Sequence, residues 1–182
     1  EMARRRLKLC CITSVVFLVI LIAIIVTLSF TIFKPKDPQI TIQPVGLKNF
    51  NFNITGVTLN TLVTIHNPNY GSFEYKNVTG YVNYRGSTVA EVPIAHNKIP
   101  ARAKVNMTTS TDLIVGKLIS NPSFWEDIGS GYLNFSATAT LPGKVSLAKI
   151  FKFRATTYTS CYILIYIQSQ DADSKCITKI KL

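Results

Sequence analysis

From Leu9 to Phe33 the chain runs for twenty-five residues without a charged side chain. As a helix at about 1.5 Å per residue, the run reaches roughly 37 Å, more than the ~30 Å of a bilayer's hydrocarbon core. Ile, Val, Leu and Phe fill most of it. Thr13, Ser14, Thr27, Ser29 and Thr31 are its hydroxyls, and a hydroxyl can bond back to a carbonyl of its own helix without water. A secretory signal peptide also starts basic and turns apolar, but its apolar core is about 7–15 residues. The best small-residue cleavage site here, Ser29-Phe30-Thr31, is weak. A buried core helix would need helical partners, and the rest of the chain does not read as helical.

The flanks predict orientation. Arg4, Arg5, Arg6 and Lys8 precede the span, while Lys34 and Lys36 follow it. The bias favours a cytosolic N-terminal tail and residues 34–182 in the lumen or outside the cell. Cys10 and Cys11 fall at the cytosolic end of the span, the position of palmitoylated thiols. Two small apolar residues in a helix are the plainer reading.

After the span the dominant period is two. Val57, Leu59, Thr61, Val63 and Ile65 share one face, and Thr58, Asn60, Thr64 and His66 the other, the pattern of a half-buried strand. Strands are expected at about 39–45, 49–55, 73–85, 87–95, 101–111, 131–141, 144–155, 158–168 and 175–182. Turns are expected at Asn67-Pro68-Asn69, Arg85-Gly86-Ser87 and Leu141-Pro142-Gly143. Many short punctuated strands in some 149 residues predict one all-β domain, an antiparallel sandwich. One segment breaks the rhythm: residues 112–119 read as a short helix behind an Asp112 cap. Ser123 and Glu126 have capping-box spacing for another turn ending at Gly129. Phe124, Trp125 and Ile128 are expected to plug one end of the sandwich.

Four Asn-x-Ser/Thr sequons, at Asn53, Asn77, Asn106 and Asn134, all follow the span. Asn134 alternates with Leu133, Phe135, Ala137, Ala139 and Leu141, and Asn53 opposes Phe50, Phe52 and Ile54. Both fall on polar faces, as N-glycosylation of an extracytosolic domain requires; ordinary strand and turn asparagines are the other reading. Cys161 and Cys176 lie near the ends of the last two strands and are expected to pair in an oxidising compartment. A loop of about fifteen residues closed this way stabilises by roughly 3 kcal/mol.

No nucleophile elbow, phosphate-binding glycine loop or zinc-protease motif is present. Any triad would have to draw its base from His66 or His96, so the chain is expected to be non-enzymatic, without cofactor or metal. Residues 34–182 hold sixteen Lys or Arg against eight Asp or Glu. Lys144, Lys149, Lys152, Arg154, Lys175, Lys179 and Lys181 sit on late strands that can share a face. Such a face favours an acidic partner, a protein or an acidic wall polysaccharide or an anionic lipid surface; nucleic acid is excluded by compartment. A diffusely solvated surface is the alternative.

The segment TLVTIHNPNYGSFEYKNVTGYVNYRGSTVAEVPI, with Asn67-Pro68-Asn69, Tyr75, and Tyr84 before Arg85-Gly86, resembles the core block of the plant late embryogenesis abundant (LEA) type 2 family. The basic tail, single span and late cysteine pair resemble its membrane-anchored harpin-induced or non-race-specific disease resistance-like branch. The resemblance implies an immunoglobulin-like or fibronectin-III-like sandwich with one short helical segment, at the plasma membrane or endoplasmic reticulum. It also implies roles in pathogen defence or in tolerance of drought, salt and cold. The organisation that follows is a basic tail (1–8), a transmembrane helix (9–33), a linker and first strand (34–48), and the sandwich (49–182). The Asn67-Pro68-Asn69 motif itself reads as a structural corner, since Pro68 donates no backbone hydrogen bond and Asn tolerates tight connections. A lipid- or apolar-ligand-binding module and a membrane protectant during dehydration are the competing functions. A filled sandwich would count against lipid binding, and an apolar cavity lined by Phe and Ile would support it.

Overall fold

The structure, a computed structural model, describes residues 2–32, 34–45, 57–147 and 150–182. It divides into two units, residues 1–35 and residues 36–182. The expected strand at 49–55, with Phe50, Phe52, Ile54 and the Asn53 sequon, lies outside the described residues, as does Lys149.

The first unit is one helix, α1 (Met2–Ile32). It starts earlier than the apolar run, because the Arg- and Lys-bearing tail consists of good helix formers. Lys8–Phe30 has a mean hydropathy of 3.3 and is long and apolar enough to cross a membrane. The hydroxyls of Thr13, Thr27 and Ser29 donate to the carbonyls of Leu9, Ala23 and Ile25 at 3.0, 2.7 and 2.7 Å, so they need no outside partner.

The second unit is an antiparallel β-sandwich. Its strands are β1 (Gln39–Val45), β2 (Val57–His66), β3 (Gly71–Tyr75), β4 (Val78–Tyr84) and β5 (Ser87–Ile94), then β6 (Asn97–Ile99), β7 (Lys104–Leu113), β8 (Tyr132–Leu147), β9 (Phe151–Tyr166) and β10 (Asp171–Lys181). Sheet A has the order β1-β2-β7, and sheet B runs β10-β9-β8-β3-β6, with β4 joining β8 to β5. β2 keeps the expected alternation: Thr61 and Ile65 are buried, Thr58 and Asn60 exposed. Two seams bring the sheets together. Ser174 Oγ donates to the Ile42 carbonyl at 2.6 Å, linking β10 to β1, and Ile114 N donates to the Val89 carbonyl at 2.7 Å beside β5 and β7.

Three strand expectations are corrected. Residues 73–85 are not one strand, because the chain leaves the ladder at Lys76 and Asn77. β3 pairs with residues 143–147 of β8 and β4 with residues 135–138, so the two share one long partner end to end. Leu141-Pro142-Gly143 is not a turn but the middle of β8, where Pro142 stands opposite Thr156. Pro142 falls in the gap between the β4 and β3 ladders, where a missing N–H costs little. Gly143 is there for closeness, since a β-carbon on it would lie 2.5 Å from the Glu74 carbonyl oxygen and 2.6 Å from the Phe73 ring. The segments expected at 144–155 and 158–168 accordingly become the end of β8 and an unbroken β9.

The helical segment is two short helices, α2 (Val115–Ile119) and α3 (Pro122–Ser130), where a helix and a further turn were expected. Asp112 does not cap α2; β7 continues through Leu113, and Asp112 accepts a 2.6 Å hydrogen bond from the Thr58 hydroxyl across the sheet. The cap of α3 is Asn121, not Ser123: its side chain accepts from Ser123 N at 3.0 Å, with Pro122 opening the helix. The helix ends on Gly131, at φ 84°, rather than Gly129. Trp125 is 64% exposed and does not plug the core. At helical spacing Phe124 and Asp127 share the inward side instead, and both are buried.

The core forms two clusters. One holds Ile65, Phe73, Tyr75, Ile99, Leu141, Val145 and Ala155. The other, against α2 and α3, holds Tyr84, Val89, Leu118, Phe124, Leu133 and Phe135.

Candidate functional site

The β4–β5 hairpin closes through Arg85 and Gly86, both at positive φ (47° and 85°), with Tyr84 opposite Ser87. That geometry matches the right-handed twist of the strands but strains a non-glycine residue. Arg85 is held there by Asp127: Nη2 donates to Oδ1 at 2.7 Å and Nε to Oδ2 at 3.2 Å. The Tyr84 hydroxyl, fully buried, donates to the same Oδ2 at 2.6 Å. Hydrogen bonds from Arg85 and Tyr84 hold the Asp127 carboxyl below the usual carboxylate range. Burial, followed by the Asp127 contact, pushes Tyr84 up to about 12. The Tyr84-Arg85-Gly86 block therefore locks α3 onto the hairpin. Sequence reasoning missed the partner; the inward phase of Asp127 with Phe124 was the available signal.

Asn67 is buried, and its amide donates to the carbonyls of Gly71 and Pro100 at 2.9 and 3.0 Å while accepting from Asn69 N at 3.0 Å. Asn69 in turn accepts from Lys36 N and donates to the Lys36 carbonyl, both at 2.7 Å. Arg102 reaches the Pro68 carbonyl at 3.1 Å and lies 4.9 Å over the Tyr70 ring. The Asn67-Pro68-Asn69 motif thus ties the start of the domain to the β6–β7 turn with saturated hydrogen bonding, and leaves little polar capacity for a ligand.

Cys161 and Cys176 face each other across β9 and β10 and are joined by a disulfide. Cys10 and Cys11 are free, exposed thiols on α1. Of the described sequons, Asn106 and Asn134 are exposed on β7 and β8, and Asn77 is exposed while accepting from His96 N at 2.5 Å. His96 lies 3.4 Å from Glu74, and His66 lies 3.4 Å from Gln39. Among the described residues no three metal-ligating side chains cluster.

The register brings the late basic residues together on the outer face of sheet B. Lys179 stands beside Tyr158, Lys175 beside Tyr162 and Lys181 beside Thr156, while Arg154 is opposite Lys144. With Lys152, these lysines, the arginine and both tyrosines are exposed. Glu74 on the same face pairs across the ladders with Lys98 and Lys144, and Asp171 and Asp173 lie at the far end of β10. Asn134 shares the face, opposite Leu164.

Between the sheets is an apolar cavity of about 620 Å³. Ile40, Ile65, Ile94, Phe135, Ile163 and Ile165 contribute to its wall. The volume falls within the ~300–1,000 Å³ of small-molecule sites. Its position coincides with a belt of small side chains across sheet B: Gly80, Ala137 and Ala139, Thr159 and Cys161. Ala139 is opposite Thr159 and Ala137 opposite Cys161. Members of both core clusters, Leu133 and Phe135 of one and Ile65 and Leu141 of the other, line the cavity on either side of the belt, and Ala139 packs against the latter cluster.

A model of the family described as "Late embryogenesis abundant protein" matches residues 62–161, from β2 into β9. No curated protein matches the chain. Among solved structures, a chain described as "Crystal structure of protein from Archaeoglobus fulgidus" is similar at 10% identity and a TM-score of 0.39, over 79% of this chain and 97% of that one.

Proposed function

Because the chain belongs to the late embryogenesis abundant family of the LEA_2 type, we propose that it is a non-enzymatic, single-pass membrane-anchored interaction protein of stress or defence responses. It holds its sandwich outside the cytosol, at the plasma membrane, and engages an acidic partner, a protein or a uronic-acid polysaccharide. The helix length and the flanking charges support the anchor and its direction.

One observation carries the interaction reading, the outer face of sheet B. Arg154 and Lys144 stand directly opposite each other there, an arrangement with a like-charge cost that Glu74, across the next ladder from Lys144, offsets in part. An acidic ligand removes that cost, and Tyr158 and Tyr162 add flat aromatic surface between the cations.

The test uses sealed, right-side-out plasma-membrane vesicles carrying the full chain, exposed to fluorescent polygalacturonate. Binding is expected without permeabilisation, weakening as salt rises. Reversing Arg154, Lys175 and Lys179 to Glu lowers it by about tenfold or more, at a few tenths to 1 kcal/mol per exposed charge contact. Binding that needs permeabilised vesicles would put the domain in the cytosol. Undiminished binding by the reversed chain would remove the face from the reading.

A further inference from the structure

Protein interiors are packed to crystal-like density, and voids larger than a water molecule are few. The space between sheets A and B departs from that rule for a reason visible in the register. Along β8 the inward positions read Leu133, Phe135, Ala137, Ala139, Leu141. The two alanines are flanked by Thr159 and Cys161 on β9 and by Gly80 and Val82 of β4. Among the described residues, the Ile94 side chain of β5 lies over Gly80 at one margin of this belt, and Thr61, Thr109 and Thr111 line the space from sheet A. The cavity is therefore written into three strands of one sheet.

Its chemistry excludes most occupants. Among the described residues the wall is mainly aliphatic and aromatic, with threonine hydroxyls as its main polar groups, and His96 is the one titratable residue besides tyrosine that borders it. An apolar cavity does not hold water well, since a buried water needs two to four polar partners. Ions and polar metabolites would find no counter-charge. The wall follows β8 from Leu133 to Leu141, about 26 Å of strand at some 3.3 Å per residue. The space is long rather than round, which suits an extended hydrocarbon better than a compact ring system.

It also has an entrance. Exposed Pro93, Ala95, His96 and Thr108 border the cavity. Among the described strands β5 pairs with β4 alone and β7 with β2 alone; their edges meet at the Ile114–Val89 hydrogen bond, and beyond it, towards Pro93 and Thr108, no ladder of hydrogen bonds closes them. A chain entering there buries its methylenes and leaves its polar head in solvent beside His96 and Thr108. We infer that the space between the sheets binds a single unbranched acyl chain, admitted between the edges of β5 and β7. This concerns the interior of the sandwich and stands or falls apart from the acidic-partner reading of its outer face.

The experiment places the full chain in lipid nanodiscs with either of two photoreactive probes, a fatty acid with a diazirine at its chain terminus or a phosphatidylcholine carrying the same tail. After irradiation, labelled peptides are mapped by mass spectrometry. Label on residues 8–30 reports ordinary bilayer contact and serves as the internal standard. The expected result is additional label on residues 133–141 or 159–165, displaced by excess unlabelled oleate. The double substitution Ala137→Leu, Ala139→Leu fills the space and lowers that label by about tenfold or more against the standard. Thr140→Leu, on the outer face of the same strand, leaves it unchanged. Labelling by the free fatty acid alone identifies a soluble-ligand site, and labelling by both identifies a site for a lipid tail; either supports the inference. Label confined to residues 8–30, or sandwich label that oleate does not displace in the unsubstituted chain, overturns it without reliance on the filled variant.

Discussion

The α3 end of the sandwich and its middle are built from the same two sheets and treat volume in opposite ways. At the α3 end, Tyr84, Val89, Leu118 and Phe124 are each no more than 2% exposed, and the buried hydroxyl and carboxylate satisfy one another. In the middle, alanine, glycine and threonine stand where large residues would interlock, and a cavity results. The comparison teaches that packing here follows position. A locked end fixes the geometry of β4, β5 and α3, and that fixed frame can keep the adjoining space open.

The sharpest way to break the comparison is at Asp127. Asp127→Ala leaves the fully buried Tyr84 hydroxyl without a partner and releases Arg85 from a strained turn. The unpaired hydroxyl alone is expected to cost about 1–3 kcal/mol, and the freed turn adds to it. Urea denaturation of the full chain in detergent would read this as a lower midpoint. Tyr84→Phe, which removes donor and demand together, should cost less.

Next come two small-to-large changes of opposite sign. Val89→Phe forces volume into the closed cluster and should destabilise by about 1–3 kcal/mol. Ala139→Leu adds methylenes to open space and should stabilise by about 1 kcal/mol or more in the ligand-free chain. Melting temperatures that fall for both would show that the middle is as tightly filled as the end.

The smallest effect is with pH. The Asp127 carboxyl titrates below its unfolded value, so its stabilisation is present above about pH 4 and lost as pH falls through the folded value. Tyr84 is raised to about 12; its contribution is complete below the unfolded value of about 10 and is lost as pH rises towards the folded one. Thermal melts from pH 3 to 11 should therefore show a plateau bounded by these groups. Tyr84→Phe should weaken the alkaline limb, to which buried Tyr75, also raised by burial, still contributes, while keeping part of the acid one.

Much of this was legible along the chain. The run from Leu9 to Phe33 reads as a helix because every residue in it makes the same local demand. The alternation in β2 and the Arg85-Gly86 turn were equally plain. The late lysines were visible as a group, though only pairing put Lys144 opposite Arg154. Pro142 and Gly143 misled, because a strand gap and a close backbone approach call for the same residues as a turn. Trp125 misled as well, since size and apolarity do not reveal which side of a short helix faces inward.

The sequence by itself determined the apolar helix, the all-β character of the remainder and the tight corners, because each rests on interactions between residues close in the chain. Only the tertiary structure decided that Asp127 would answer Tyr84 from 43 residues away, and that Gly80, Ala139 and Thr159 would fall at one level and leave a cavity. Those outcomes depend on the register of strands distant in sequence, and a shift of one residue would turn every one of these side chains to the opposite face.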